Sequence, residues 1–270
     1  MFNYKRVLHK DAFYGDILIV LIIYADTLEM FVMRNMSSIM KDKMIKQLRK
    51  FDVLFFILTA VLSGHDINAQ PIPPLVFHDD FREGSTKWET TDDASWTLTQ
   101  QKGRSAWGLN KRKSDYQPKF RSPHNIALIR DLELTETLID VEVKSTRDTG
   151  NHRDCCIFFQ YQDPEHFYYV HLGAKQDPHS GQIMIVNGAA RRALTTNKKP
   201  VPWDDQWHQV RLERDPSSGR IAVFFDNLKT PLMQVHDKTF LSGRVGIGSF
   251  DDMNDFTDVH IYGKRASNKR

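Results

Sequence analysis

The chain of 270 residues is 40% hydrophobic and 26% charged, with 37 Lys and Arg against 34 Asp and Glu. Removing residues 1–69, which hold 9 of those bases and 7 of those acids, leaves 28 against 27. A sequence pI near 8.7 is then no argument for nucleic acid, which requires a basic face, and two cysteines among 270 residues exclude a disulfide framework.

In chain order, residues 1–35 come first and fit no folded unit. Ile17 to Ala25 is apolar, but Asp26 and Glu29 follow before Met30 to Met33. Internal carboxylates weaken the reading of a membrane helix. Met36, Met40 and Met44 each stand before a basic segment, so residues 1–35 are expected to be an extension upstream of the true start. Lys41, Lys43, Lys46, Arg49 and Lys50 then precede the mostly apolar Phe51 to Leu62, and a polar stretch ends at Ala69. Basic segment, apolar run and small residue describe a secretory signal peptide over 36–69. The run is shorter than the roughly 20 apolar residues that span a bilayer. Membrane attachment is expected only if this segment stays uncleaved. The protein is expected to be secreted or periplasmic, with its domain at 70–270.

From Leu75 onward the chain keeps returning to short alternating runs. Strands are expected at Leu75–His78, Trp96–Gln100, Ala127–Ile129, Leu138–Ser145, Cys155–Tyr161, Phe167–Leu172, Gln182–Val186, His208–Glu213, Arg220–Phe225, Arg244–Ser249 and Thr257–Tyr262. Turn clusters separate them, among them Asp148-Thr149-Gly150-Asn151, Asp163-Pro164 and Asp215-Pro216-Ser217-Ser218-Gly219. The last four strands are the clearest. Val210 and Leu212 face one way, Gln209, Arg211 and Glu213 the other, and Ile221, Val223 and Phe225 resume the pattern. Many short strands with almost no helical periodicity indicate an all-β, two-sheet antiparallel sandwich or jelly roll.

Cys155 and Cys156 are neighbours on a strand and point to opposite faces, so a disulfide between them is geometrically awkward. Buried inert thiols are the default reading, with a strained vicinal disulfide or a pairing with another chain as alternatives. Asp140 and Glu142, with Lys144 on the same face, lie two residues apart on a strand, about 6.5–7 Å. That is near the spacing of glycosidase carboxylates, although charged alternate positions more commonly mark a solvated face. Asp131-Leu132-Glu133-Leu134-Thr135-Glu136 carries carboxylates too and is read as preceding a strand.

The segments Phe77-His78-Asp79-Asp80-Phe81 with Trp88, Phe158 to Tyr169, Trp207 to Leu212 and Gly243 to Gly248 together resemble the concanavalin A-like lectin/glucanase superfamily. The likeness falls in the branch with laminin G-like and 3-keto-disaccharide hydrolase-type domains, and it covers most of residues 75–263. It implies a secreted bacterial protein that handles a poly- or oligosaccharide. Such sandwiches host lectins, adhesion modules, hydrolases and lyases, so fold alone does not choose among them.

The resemblance implies three sets of site residues. His152, Arg153, Tyr169 and His171, with Gln160, resemble what a lyase of this superfamily needs: Arg or Gln neutralising a uronate carboxylate, His or Tyr removing the adjacent proton. The Arg-Thr/Ser-Glu-Leu and Gln-Ile/Val-His motifs of its alginate-lyase branch are absent. Gln160, Tyr169 and His171 would otherwise form a carbohydrate-binding patch, or a half-buried sheet face whose aromatics pack and whose His171 is simply hydrogen-bonded. Trp107 and Trp203, in loop contexts, would add indoles on which a sugar ring stacks, with packing beneath a loop as the more common role of such a residue. A structural Ca²⁺ is implied between the first and last strands, with Asp80 and Asp258 as ligands, Asp79 beside them and Asp251, Asp252 and Asp255 nearby. No organic cofactor is expected. The chain shows no serine-nucleophile elbow, zinc-binding histidine pair, phosphate-cradling glycine loop or Cys-x-x-Cys. The sequence therefore reads as a carbohydrate-binding sandwich associated with polysaccharide degradation, with a glycan-cleaving hydrolase or lyase on the same fold as the alternative.

Overall fold

A computed structural model describes residues 72–267; the expected extension and the signal segment lie outside the described residues. Among the described residues there are fourteen strands: β1 (Leu75–Asp79), β2 (Trp88–Thr90), β3 (Trp96–Gln101), β4 (Arg104–Leu109), β5 (Asn125–Ser145), β6 (Cys156–Asp163), β7 (His166–His171), β8 (Gln182–Asn187), β9 (Arg192–Ala193), β10 (His208–Arg214), β11 (Arg220–Phe225), β12 (Met233–His236), β13 (Gly243–Ser249) and β14 (Asn254–Arg265). Every pairing is antiparallel. Among the described residues no helix is long and apolar enough to cross a membrane.

Two sheets share β5. Its first half, Asn125 to Leu134, pairs with β13 and β2, and beyond β13 the first sheet continues β6-β7-β8-β9. Its second half, Thr137 to Ser145, lies between β10 and β14. The second sheet runs outward through β11 and β12 on one side. On the other side, β1 and β4 both pair with β14, and β3 with β4. The segment Asp131 to Glu136, expected to precede a strand, is the middle of one. Asp131 takes a left-handed backbone at φ 53°, at a bulge where the register of β5 against β13 slips between Leu128 and Glu133.

The layers follow the alternation. Val141, Val143, Val210, Leu212, Ile221, Val223, Phe256 and Ile261 of the second sheet meet Ala127, Ile129, Ile157, Phe159, Tyr168 and Val170 of the first in one buried core. Phe81, Trp88, Trp96 and Trp107 extend it, with Trp96 and Trp107 at 4.4 Å between ring centroids. At roughly 25 cal/mol per Å² of apolar surface removed from water, a core of such rings is the main stabilising term of the sandwich.

The outer face of the first sheet is also apolar and also covered. Ile126, Leu128, Cys156, Phe158, Tyr161, Phe167, Tyr169 and Met184 pack there beneath Tyr116 and Phe250. The backbone amide of Arg191 donates to the Arg121 carbonyl at 3.1 Å and so ties two covering loops together, while the Arg191 guanidinium lies 3.8 Å from the Phe250 ring centroid. The outer face of the second sheet is polar. Arg211 grips Asp140 with two bonds of 2.7 Å and Arg104 reaches Glu142 at 2.8 Å, so this carboxylate pair is spent on neighbouring strands.

Candidate functional site

Asp148, Gly150 and Asn151 follow the C-terminal end of β5, and Arg153 precedes β6. Ala174 follows β7, and Trp203, Asp204 and Asp205 precede β10. Because these strands are antiparallel, all three connections emerge at the same end of the sandwich. They enclose a cleft of about 440 Å³.

The floor of the cleft is fixed. Trp203 is half-buried; its ring meets Phe225 at 5.1 Å and His208 at 5.3 Å, both edge-on, and its Nε1 donates to the Leu172 carbonyl at 2.7 Å. His208 is itself held at both nitrogens, by Asp226 at 2.9 Å and Asp204 at 3.2 Å. Arg153 is buried and donates to Asp205, with Asp148 at 3.4 Å, while its Nε has no partner. Asp148, Asp204 and Asp205 are exposed at the rim. Three carboxylates against one guanidinium give the cleft a negative balance and acceptors for hydroxyl groups.

The structure brings together Arg153 and Trp203 among the residues expected from sequence. It places the others elsewhere. His152 is exposed in the preceding turn. Tyr169 is fully buried within the covered outer face, and its hydroxyl has no partner. Burial pushes that hydroxyl well above the usual tyrosine range. His171 is buried, its Nδ1–H donating to the His179 carbonyl at 2.8 Å, with Nε2 at 3.7 Å from Asp154. Gln160 lies in a bulge of β6 at φ 49°. Its amide donates to the Thr135 carbonyl at 2.8 Å, so Gln160 does not continue the face of Phe158 and Tyr169. Trp107 is not in a loop. Lys102 and Gly103 both take positive φ in a two-residue turn that sends the chain back as β4, and Trp107 on that strand is buried.

A second buried network lies behind the cleft. Asp154 accepts from Ser249 Oγ at 2.7 Å and the Phe250 amide at 3.0 Å. Burial pushes its carboxyl up, but His171 and these donors outweigh it and hold the group below the usual range. Asp252 accepts from Thr149 Oγ1 at 3.1 Å, and burial, reinforced by the charge of Asp154, raises its carboxyl to about 6. Both cysteines are free and buried, one against each face of the first sheet, and burial lifts both thiols.

The expected Ca²⁺ pair does not form. Asp80 is engaged by Arg82 through Nε at 2.5 Å. Asp79 is buried against Trp88 Nε1 at 2.9 Å and the Phe81 amide at 3.1 Å. Asp251 pairs with Arg112, and Asp255 is buried against Gln101. Asp258 stands instead with His78 and His260. Calcium takes six to eight oxygen ligands, so a site with two imidazoles does not fit it.

No protein-family model matches this chain, and no curated protein matches it. Among solved structures, a carbohydrate-binding module of Bacillus subtilis is similar at 16% identity, with 66% of this chain and 96% of that one covered and a TM-score of 0.49. Domain 4 of an extracellular arabinanase from Geobacillus stearothermophilus, in complex with arabinotriose, is similar at 11% identity, covering 73% and 95%, TM-score 0.48. A Bacillus licheniformis β-glucanase follows at 14% identity, covering 71% and 99%, TM-score 0.46. The fold is an all-β antiparallel sandwich whose two sheets are joined through one continuous strand, β5. Likenesses of this size say nothing of what this chain binds.

Proposed function

We propose that the protein is an exported carbohydrate-binding sandwich whose ligand occupies the Arg153–Trp203 cleft. The observation that carries this reading is the composition of the cleft: a fixed, half-exposed indole beside a buried guanidinium and three rim carboxylates. An indole face receives the apolar C–H face of a sugar ring, and carboxylates accept from its hydroxyls. Arg153 is already paired with Asp205 and Asp148, so it is not a free counter-charge for a uronate. The negative balance favours a neutral glycan. Burial of Tyr169 and His171 supports binding over cleavage, because the expected acid and base do not face a groove. Export rests on the basic-then-apolar segment of 36–69.

Titration calorimetry with neutral and uronate oligosaccharides tests the ligand. Binding of a neutral oligosaccharide that is lost in Trp203→Ala and Asp205→Ala is expected, with no new reducing ends formed. Affinity unchanged in both variants would place the ligand elsewhere, and a rise in reducing ends would make the protein an enzyme. Mass spectrometry of the exported protein tests cleavage after Ala69; a mature chain retaining Phe51 to Leu62 would contradict it.

A further inference from the structure

β14 does not alternate strictly. Its register against β5 slips between Thr257 and His260, and Asp258 takes a left-handed backbone at φ 53°. Phe256, Val259 and Ile261 consequently face the core, while Asp258 and His260 stand together on the outer face. A bulge of this kind re-aims a side chain out of its alternating position. His78 of β1 is directly opposite His260 in register, and the two rings stack at 4.3 Å. His78 Nε2 lies 3.4 Å from Asp258 Oδ1, and His260 Nδ1 lies 4.0 Å from the same oxygen.

We propose that His78, Asp258 and His260 bind a divalent transition ion of zinc-like softness, with water completing its shell. Two ligands each about 2.0–2.1 Å from a tetrahedral ion lie about 3.4 Å apart, the separation found between His78 and Asp258. A modest turn of the half-exposed His260 ring closes the other gap and gives up its 3.1 Å contact with the Asp258 carbonyl. Imidazole suits zinc, copper and nickel, whereas an oxygen-only ion gains little from two such rings. The nearby guanidinium of Arg82 is neutralised by Asp80, and Tyr262 stacks behind His260 at 6.3 Å. The cluster ties the strand nearest the start of the domain to the one that closes it, so the ion would act as a clasp between β1 and β14.

The test uses the full chain, stripped by chelator and dialysed against ZnCl₂, CaCl₂ or CoCl₂. One Zn²⁺ per chain, a visible Co²⁺ absorption band and a rise in melting temperature with Zn²⁺ are expected. His78→Gln and His260→Gln should each weaken Zn²⁺ at least tenfold, while His236→Gln on β12 should leave it unchanged. Zn²⁺ retained by the His78→Gln/His260→Gln double variant would mark adventitious surface binding and overturn the site. Failure of Zn²⁺ to bind or to shift the wild-type melting temperature would overturn it without recourse to any variant. Displacement of Zn²⁺ by equimolar Ca²⁺ would overturn the assignment of the ion.

Discussion

The indole Nε1 of Trp203 donates to the carbonyl oxygen of Leu172 at 2.7 Å, and this bond decides how the ring meets solvent. Leu172 directly follows β7, so the tryptophan of one loop is pinned to the chain where it leaves that strand. Phe225 and His208 hold the ring edge-on, and the cleft between the loops keeps a rigid floor. Such preorganisation lowers the ordering cost of binding.

Trp203→Ala should weaken glycan binding about 30-fold, roughly the 2 kcal/mol of an aromatic hot spot. Trp203→Phe keeps a ring without the Nε1 donor and should fall between. Calorimetry beside a melting curve separates the effects; equal affinity for Phe and Trp would remove the role assigned to the Leu172 bond.

Tyr169→Ala and Trp107→Ala should act on stability alone. Each deletes a buried ring, a loss of about 3–5 kcal/mol, measurable as a lower urea midpoint. The folded fraction should bind glycan as the parent does. A selective loss of affinity from Tyr169→Ala would return that residue to the ligand site.

Asp252 gives a pH signature. Its carboxyl, raised to about 6 in the folded protein from an ordinary value of 3.8, binds more protons folded than unfolded between those limits. Its contribution therefore falls as pH rises from about 4 to about 6. Asp252→Asn keeps an acceptor for the Thr149 hydroxyl and should gain on the parent by about 1–3 kcal/mol across that window. Asp154, held low, acts oppositely and only below about pH 4. Urea melts at pH 4, 5, 6 and 7 check this; a constant difference between parent and variant would contradict it.

Cys155 and Cys156 should resist thiol reagents in the native protein and react together on unfolding, since burial disfavours both thiolates. Rapid labelling of Cys156 in the folded chain would show that the outer-face cover of the first sheet opens, and rapid labelling of Cys155 that the core between the sheets does.

The strand pattern was legible because alternation is local: Val210, Leu212, Ile221, Val223 and Phe225 all face the core as their spacing requires. Legibility failed where the pattern was broken by a left-handed residue. Asp131 concealed the continuity of β5, Gln160 left its expected face, and Asp258 turned outward beside a histidine. Trp107 was missed as a strand residue because Lys102-Gly103 was not read as a two-residue hairpin turn. Asp204 and Asp205, adjacent to Trp203, were the available signal for the cleft.

By itself the sequence determined the class of fold, the buried faces of its best strands and the burial of its two thiols, because hydrophobic periodicity and turn chemistry act over a few residues. Only the tertiary structure decided which side chains meet. Loops that cover the outer face of the first sheet shut Tyr169 and His171 away from solvent. Strand ends far apart in the chain bring Arg153 to Trp203, and a bulge in β14 brings Asp258 and His260 to His78. These meetings depend on strand order and on single backbone reversals, which residue spacing does not encode.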